Sequence, residues 1–101
     1  MKSKKCKFSI GQIVFHKLFD YRGIIVDVDP YFSLSEEWYQ EMTTSNPPKD
    51  APWYHVLVDG EDFSTYVAEQ NLEPDISKEP VLNPLLAQFP DLQDSGKFSL
   101  N

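Results

Sequence analysis

Two runs near the start of the chain are patterned for β-strands. From Phe8 to His16 (FSIGQIVFH), Phe8, Ile10, Gln12 and Val14 fall on one face, with Ile13 and Phe15 on the other. That is the period-two spacing of a pleated strand. Gly11 within it predicts a bend or bulge. After a short turn at Lys17–Tyr21 comes Arg22–Asp29 (RGIIVDVD). Its β-branched residues favour extended backbone, and Ile24, Val26 and Val28 are expected toward the core. Pro30 ends the run, because it has no N–H to give to the ladder.

Trp53–Asp59 (WYHVLVD) predicts a third strand, with Tyr54, Val56 and Val58 on one face and Trp53, His55 and Leu57 on the other. Asp59-Gly60 is a hairpin signal, and Phe63–Ala68 (FSTYVA) reads as the returning strand. Ala68–Leu72 follows as a tight turn or one 3₁₀ turn before Glu73-Pro74. Residues 30–52 form a long connection. Within it Ser33-Leu-Ser-Glu36 fits a capping box, predicting a short helix over 36–42 that presents Trp38, Tyr39 and Met42. The Asn-Pro-Pro-Lys-Asp-Ala-Pro stretch after it can be neither helix nor central strand. Connections this long in small domains are often functional. Beyond Asp75, Pro80, Pro84 and Pro90 predict an irregular tail with a helical turn at Leu85–Phe89. The fold class is mainly β: four or five short antiparallel strands in a small curled sheet or partly open barrel.

The chain has 101 residues, room for one domain. The division expected is a flexible basic arm (1–7), a β-barrel domain (8–75) and a mostly irregular tail (76–101). No apolar run is long enough for a membrane span or a secretory core segment. One cysteine, Cys6, excludes an internal disulfide and a Cys-based zinc site. The expected compartment is the cytoplasm.

Charge is informative by position. The net formal charge is -7, yet six of the nine basic residues lie in the first 22 positions: Lys2, Lys4, Lys5, Lys7, Lys17 and Arg22. Only Asp20 opposes them there. The rest of the chain is strongly acidic and repels phosphates, whose neutralisation supplies most non-specific DNA affinity. The basic residues are candidate DNA contacts, or a solvated arm that aids solubility.

No pattern for catalysis is present. His16 and His55 are the two histidines, without the nucleophile and orienting acid a catalytic site needs. Asp27 and Asp29 share a strand face, which reads more simply as a solvated face than as a cation site. Cys6, among lysines, reads as an incidental exposed thiol. No catalytic residue, metal ligand or cofactor is assigned. The dense aromatics flanking the long connection, Tyr31, Phe32, Trp38, Tyr39, Trp53 and Tyr54, either close one end of the barrel or form a protein-binding patch. Their neighbours Glu36, Glu37, Glu41 and Asp50 disfavour stacked nucleic acid there.

Four blocks, YRGIIVDVDP (21–30), SLSEEW (33–38), PWYHVLV (52–58) and YVAEQNL (66–72), resemble the heat shock protein HspQ, or YccV-like, family in order and spacing. The resemblance runs from Phe8 to Asp75 and continues weakly to Pro84. It implies a small SH3-like β-barrel in a cytoplasmic stress protein that self-associates, a trimer being one such state. Two attributions come with it. One is an accessory role in degrading certain denatured proteins, including the replication initiator DnaA, with Lon protease as the machine. The other is binding to hemimethylated DNA. It brings no catalytic motif. The acidic body and aromatic loop favour the first, with protease or client on the aromatic loop (Tyr31, Phe32, Trp38, Tyr39) or on a flexible C-terminal segment. The basic residues listed above would serve the second.

Overall fold

Alternating apolar residues fold into strands when each face has something to cover it, and here both faces do. The computed structural model describes residues 5–44 and 46–93. Five strands, β1 (Ile13–His16), β2 (Tyr21–Asp29), β3 (Trp53–Val58), β4 (Ser64–Ala68) and β5 (Leu72–Pro74), form one antiparallel sheet in the order β4-β3-β2-β1-β5. The sheet curls without closing, as the strand pattern predicts. The helix α1 occupies Glu36–Met42, and 3₁₀ turns occupy Glu69–Asn71 and Pro84–Gln88, the latter followed by α2 (Pro90–Gln93). Among the described residues no helix is long and apolar enough to cross a membrane.

Three details differ from the sequence reading. The first strand begins at Ile13 rather than Phe8, because Gly11 sits at φ 92° and turns the chain. Phe8 is instead folded inward, its ring edge-on to Tyr54 at 5.5 Å and its N–H donating to the Tyr54 hydroxyl at 3.2 Å. The cap of α1 is Ser35, whose hydroxyl accepts the Trp38 N–H at 3.1 Å. Ser33, the expected cap, donates to the Tyr31 carbonyl. Finally, β2 does not place Ile24, Val26 and Val28 together. Its register against β3 slips between Ile25 and Asp27, leaving Val26 as an extra residue.

That bulge sorts the core. Ile25 and Val28 face inward with Val14, Tyr54, Val56 and Val67, the interior of the curled sheet. Ile24 and Val26 face the other way, with Leu57. This outer face is covered by the C-terminal segment, where Val81 is buried and Leu85, Leu86 and Phe89 pack against Ile24 and Leu57. The expected tail therefore carries two short helical pieces and a share of the core. Each fully buried aliphatic side chain contributes about 1.5–3 kcal/mol by leaving water.

Polar anchors hold this strap down. Asn83 is buried, donating to the carbonyls of Val58 (2.8 Å) and Phe63 (3.2 Å) and accepting the Leu85 N–H at 2.9 Å. Asp59 accepts the Leu82 N–H at 2.8 Å and pairs with Arg22 Nη1 at 2.7 Å. Arg22 Nη2 donates to the Glu79 carbonyl, and its Nε lies 3.1 Å from Asp75, close enough to pair by charge though not aligned as a hydrogen bond.

Gly23 lies where β2 and β3 approach closely. A methyl group there would press on Val56 Cγ1 and sit 2.6 Å from the Leu57 carbonyl oxygen. Gly23→Ala should therefore destabilise the protein by about 1–3 kcal/mol, read as a lower urea midpoint at unchanged slope.

Candidate functional site

At one end of the sheet the long connection folds back as an aromatic layer. The start of the connection delivers Phe32, α1 delivers Trp38 and Tyr39, and β3 and β4 deliver Trp53 and Tyr66. Phe32 stands edge-on to Trp53 at 5.0 Å and to Tyr39 at 5.3 Å, while Trp53 stacks on Tyr66 at 5.2 Å and Trp38 meets Tyr66 edge-on at 5.5 Å. Such offset and edge contacts are the favoured geometry for ring quadrupoles.

Hydrogen bonds fix the loop to this layer. Tyr39 donates to the Pro47 carbonyl at 2.6 Å and the Trp53 indole to the Pro48 carbonyl at 3.0 Å. Tyr66 donates to Asp29 at 2.6 Å and accepts the Ser33 N–H at 3.1 Å. Burial, with the Asp29 carboxylate holding the proton, pushes the Tyr66 hydroxyl up to about 12. Lys49 pairs with Glu36 and lies 4.3 Å from the Tyr39 ring centre.

Of the six aromatic candidates, the structure brings together Phe32, Trp38, Tyr39 and Trp53. Trp53 (1% exposed) and Tyr39 (7%) are inside the layer, and Phe32 and Trp38 are half-buried. Tyr54 points into the opposite core, where its hydroxyl donates to Glu69 at 2.5 Å. Tyr31 is exposed and stands apart from the ring cluster.

The surface beside the layer was not legible from the sequence. A trough of about 340 Å³ runs along β4, continuous with a smaller hollow toward Ala68 and Asn71. One wall is Leu34, Trp38 and Met42; the other is His16, Phe19 and Tyr21. Leu18 joins it in the hollow. Phe19 is 66% exposed and Met42 61%. Two large apolar residues, Leu18 and Phe19, in a five-residue turn were the available signal.

Of the basic candidates, Lys7 and Lys17 lie beside the same 3₁₀ turn, the Lys17 N–H donating to the Asn71 carbonyl at 2.8 Å, while Arg22 stands elsewhere among carboxylates. Lys2 and Lys4 lie outside the described residues. Lys5, Lys7 and Lys17 are exposed, and the Lys7 N–H donates to Glu69 at 2.8 Å. Arg22 is held by Asp59 and Asp75. Burial pushes the Asp75 carboxyl up, but the Ser77 hydroxyl and Arg22 outweigh it and hold it below the usual carboxylate range. Asp27, Asp29 and His55 gather their polar atoms within 4.8 Å of one another. Within that group Asp29 already accepts from Tyr66 and lies 3.3 Å from His55 Nε2.

His16, buried at the end of β1, shapes the trough's second wall. Its Nδ1 accepts the N–H groups of Leu18 and Phe19, both at 3.2 Å, and its ring stacks on Phe19 at 4.8 Å. Those bonds require the neutral ring. Burial lowers its pKa from the ordinary 6.5, with the Asp20 carboxylate opposing in part. The unfolded chain therefore takes up this proton first as pH falls. Stability from the neutral ring is full above about 6.5 and is lost as pH falls through the folded-state value. The urea midpoint should drop as pH falls below about 6.5, and His16→Asn, whose amide oxygen can accept the same bonds, should lose that share of the drop.

A family model described as "Hemimethylated DNA-binding protein YccV like" matches residues 6–96. The match takes in all five strands, the aromatic layer and the C-terminal strap. By that match the chain belongs to the YccV-like, hemimethylated DNA-binding protein family.

Proposed function

We propose that this chain is a non-enzymatic heat-shock accessory protein of the cytoplasm that promotes or modulates degradation of certain denatured proteins, DnaA among them, by a Lon-type protease. The observation that carries this reading is the apolar trough, which leaves Phe19 and Met42 mostly in water. Exposed apolar surface with a polar rim suits a protein partner. The acidic body supports the same choice over a phosphate backbone. Acting as an adaptor, the protein raises the local concentration of client or biases the protease toward an engaged state. The exposed Tyr31 and the outer edge of Trp38 extend the contact surface, and a homo-oligomer, trimeric in one form, would multiply it.

Purified Lon degrading a denatured substrate should change rate saturably as this protein is added, with ATP hydrolysis followed in parallel. An unchanged rate with folded protein over several substrates would remove the reading.

The family's description favours a second reading, a module for hemimethylated DNA. Lys2, Lys4, Lys5, Lys7 and Lys17 would contact phosphates, with Arg22 contributing less because two carboxylates already pair with it. Affinity for a hemimethylated duplex should then fall with salt at a log–log slope of about −0.9 per phosphate neutralised and exceed that for the fully methylated duplex. Salt-sensitive binding without that preference would mark only a basic arm.

A further inference from the structure

β4 is an edge strand, and its unpaired edge opens into the trough. The β3–β4 ladder fixes which peptide groups are free. Glu69 donates to the Pro52 carbonyl at 3.0 Å and Val58 to the Phe63 carbonyl at 3.2 Å. Antiparallel pairs alternate, so residues 63, 65, 67 and 69 turn their peptide groups toward β3. Ser64, Tyr66 and Ala68 turn theirs outward. Among the described residues nothing bonds to the N–H or C=O groups of Ser64 and Tyr66, whereas the Ala68 carbonyl is taken by the first bond of the 3₁₀ turn that follows it.

The walls rise on both sides of that edge. Leu34 and Met42 stand on the α1 side, Leu18 and Phe19 on the side of the β1–β2 turn, all four exposed. An added strand would point successive side chains alternately to these two walls. Acidic residues adjoin the two walls in the chain: Asp20 follows Phe19, Glu41 precedes Met42, and Glu37 lies one turn back on α1. Among the described residues none of the three is in an ion pair, and Lys17 is the cation on the turn.

We infer that the trough takes an extended segment of an unfolded polypeptide as a sixth strand on β4, with successive apolar residues between basic flanks. The inference rests on the accessory reading above in taking that segment to be part of a denatured client. Main-chain pairing supplies affinity for many sequences, and the two apolar walls supply the preference for apolar side chains on both faces of the added strand. Charge complementarity selects the basic flanks. A second copy fits less well, because it would bring the same acidic residues against themselves.

The test uses the full chain and a fluorescent peptide of alternating valine and leucine, about six residues between lysine pairs, titrated by anisotropy. It should bind saturably. The same peptide N-methylated at every central amide should bind at least about tenfold more weakly, having lost its main-chain donors. Glutamate flanks should weaken binding severalfold, with the difference shrinking at high salt. Ser64→Pro removes one outward N–H without touching the β3 ladder and should weaken binding, as should Phe19→Ser. Equal binding of the methylated peptide, or no binding of the parent, overturns the proposal. So does a concentration-dependent dimer lost in Ser64→Pro while the peptide fails to bind, which would give the edge to a second copy. A peptide that binds as described while Lon degradation is unmoved would leave the strand site standing and remove the protease role. A response of Lon without peptide binding would do the reverse.

Discussion

The extra residue at Val26 decides how the two central strands are covered. Were β2 to alternate without interruption, Asp27 and Asp29 would follow Ile25 into the interior beside Tyr54 and Val56. An unpaired carboxylate in such a place costs several kcal/mol or gives up its charge. The bulge returns Val28 to the interior and moves Asp27 to the outer face, beside Asp29 and His55. Asp29 is thereby available to the Tyr66 hydroxyl, which in turn anchors the long loop through Ser33. The interior, the aromatic layer and the position of the loop thus depend on one inserted residue.

The strands, the helix and the hairpin were legible because each rests on local chemistry: β-branched alternation, a serine cap with glutamates in the first turn, Asp-Gly at a turn. The bulge was not legible, since IIVDVD alternates as well with Ile24, Val26 and Val28 inward as it does with a slip. Only the cost of burying Asp27 distinguishes them, and that depends on the partner strand. Phe8 was misread as strand because its spacing is right, although Gly11 breaks the strand behind it. The strap shows the same limit. Its prolines mark irregular backbone correctly, but whether irregular backbone packs or hangs free depends on the apolar face of Ile24 and Leu57.

For the candidate site, residue type was a better guide than position. Aromatics flanking the loop do come together, yet the tightest of them serve each other: Trp53 and Tyr39 spend their surface on neighbouring rings. What they support is an edge, and the residues beside that edge come from a turn, a helix and β4, far apart in sequence. The cations were read from charge alone. Arg22 shows what that omits, since its guanidinium is spent on fastening the strap through Asp59, Asp75 and the Glu79 carbonyl.

The strand order has a consequence for how the chain is made. β1 lies between β2 and β5, so the strand that leaves the ribosome first lacks one neighbour until residue 74 has followed it. The outer face of Ile24 and Leu57 waits longer still, for Val81 and Phe89. Contacts of such long sequence separation form slowly and leave strand edges open meanwhile. The nascent protein therefore passes through a stage with the unpaired apolar strands of a misfolded chain, and is held in its final form by a segment that emerges after all five strands.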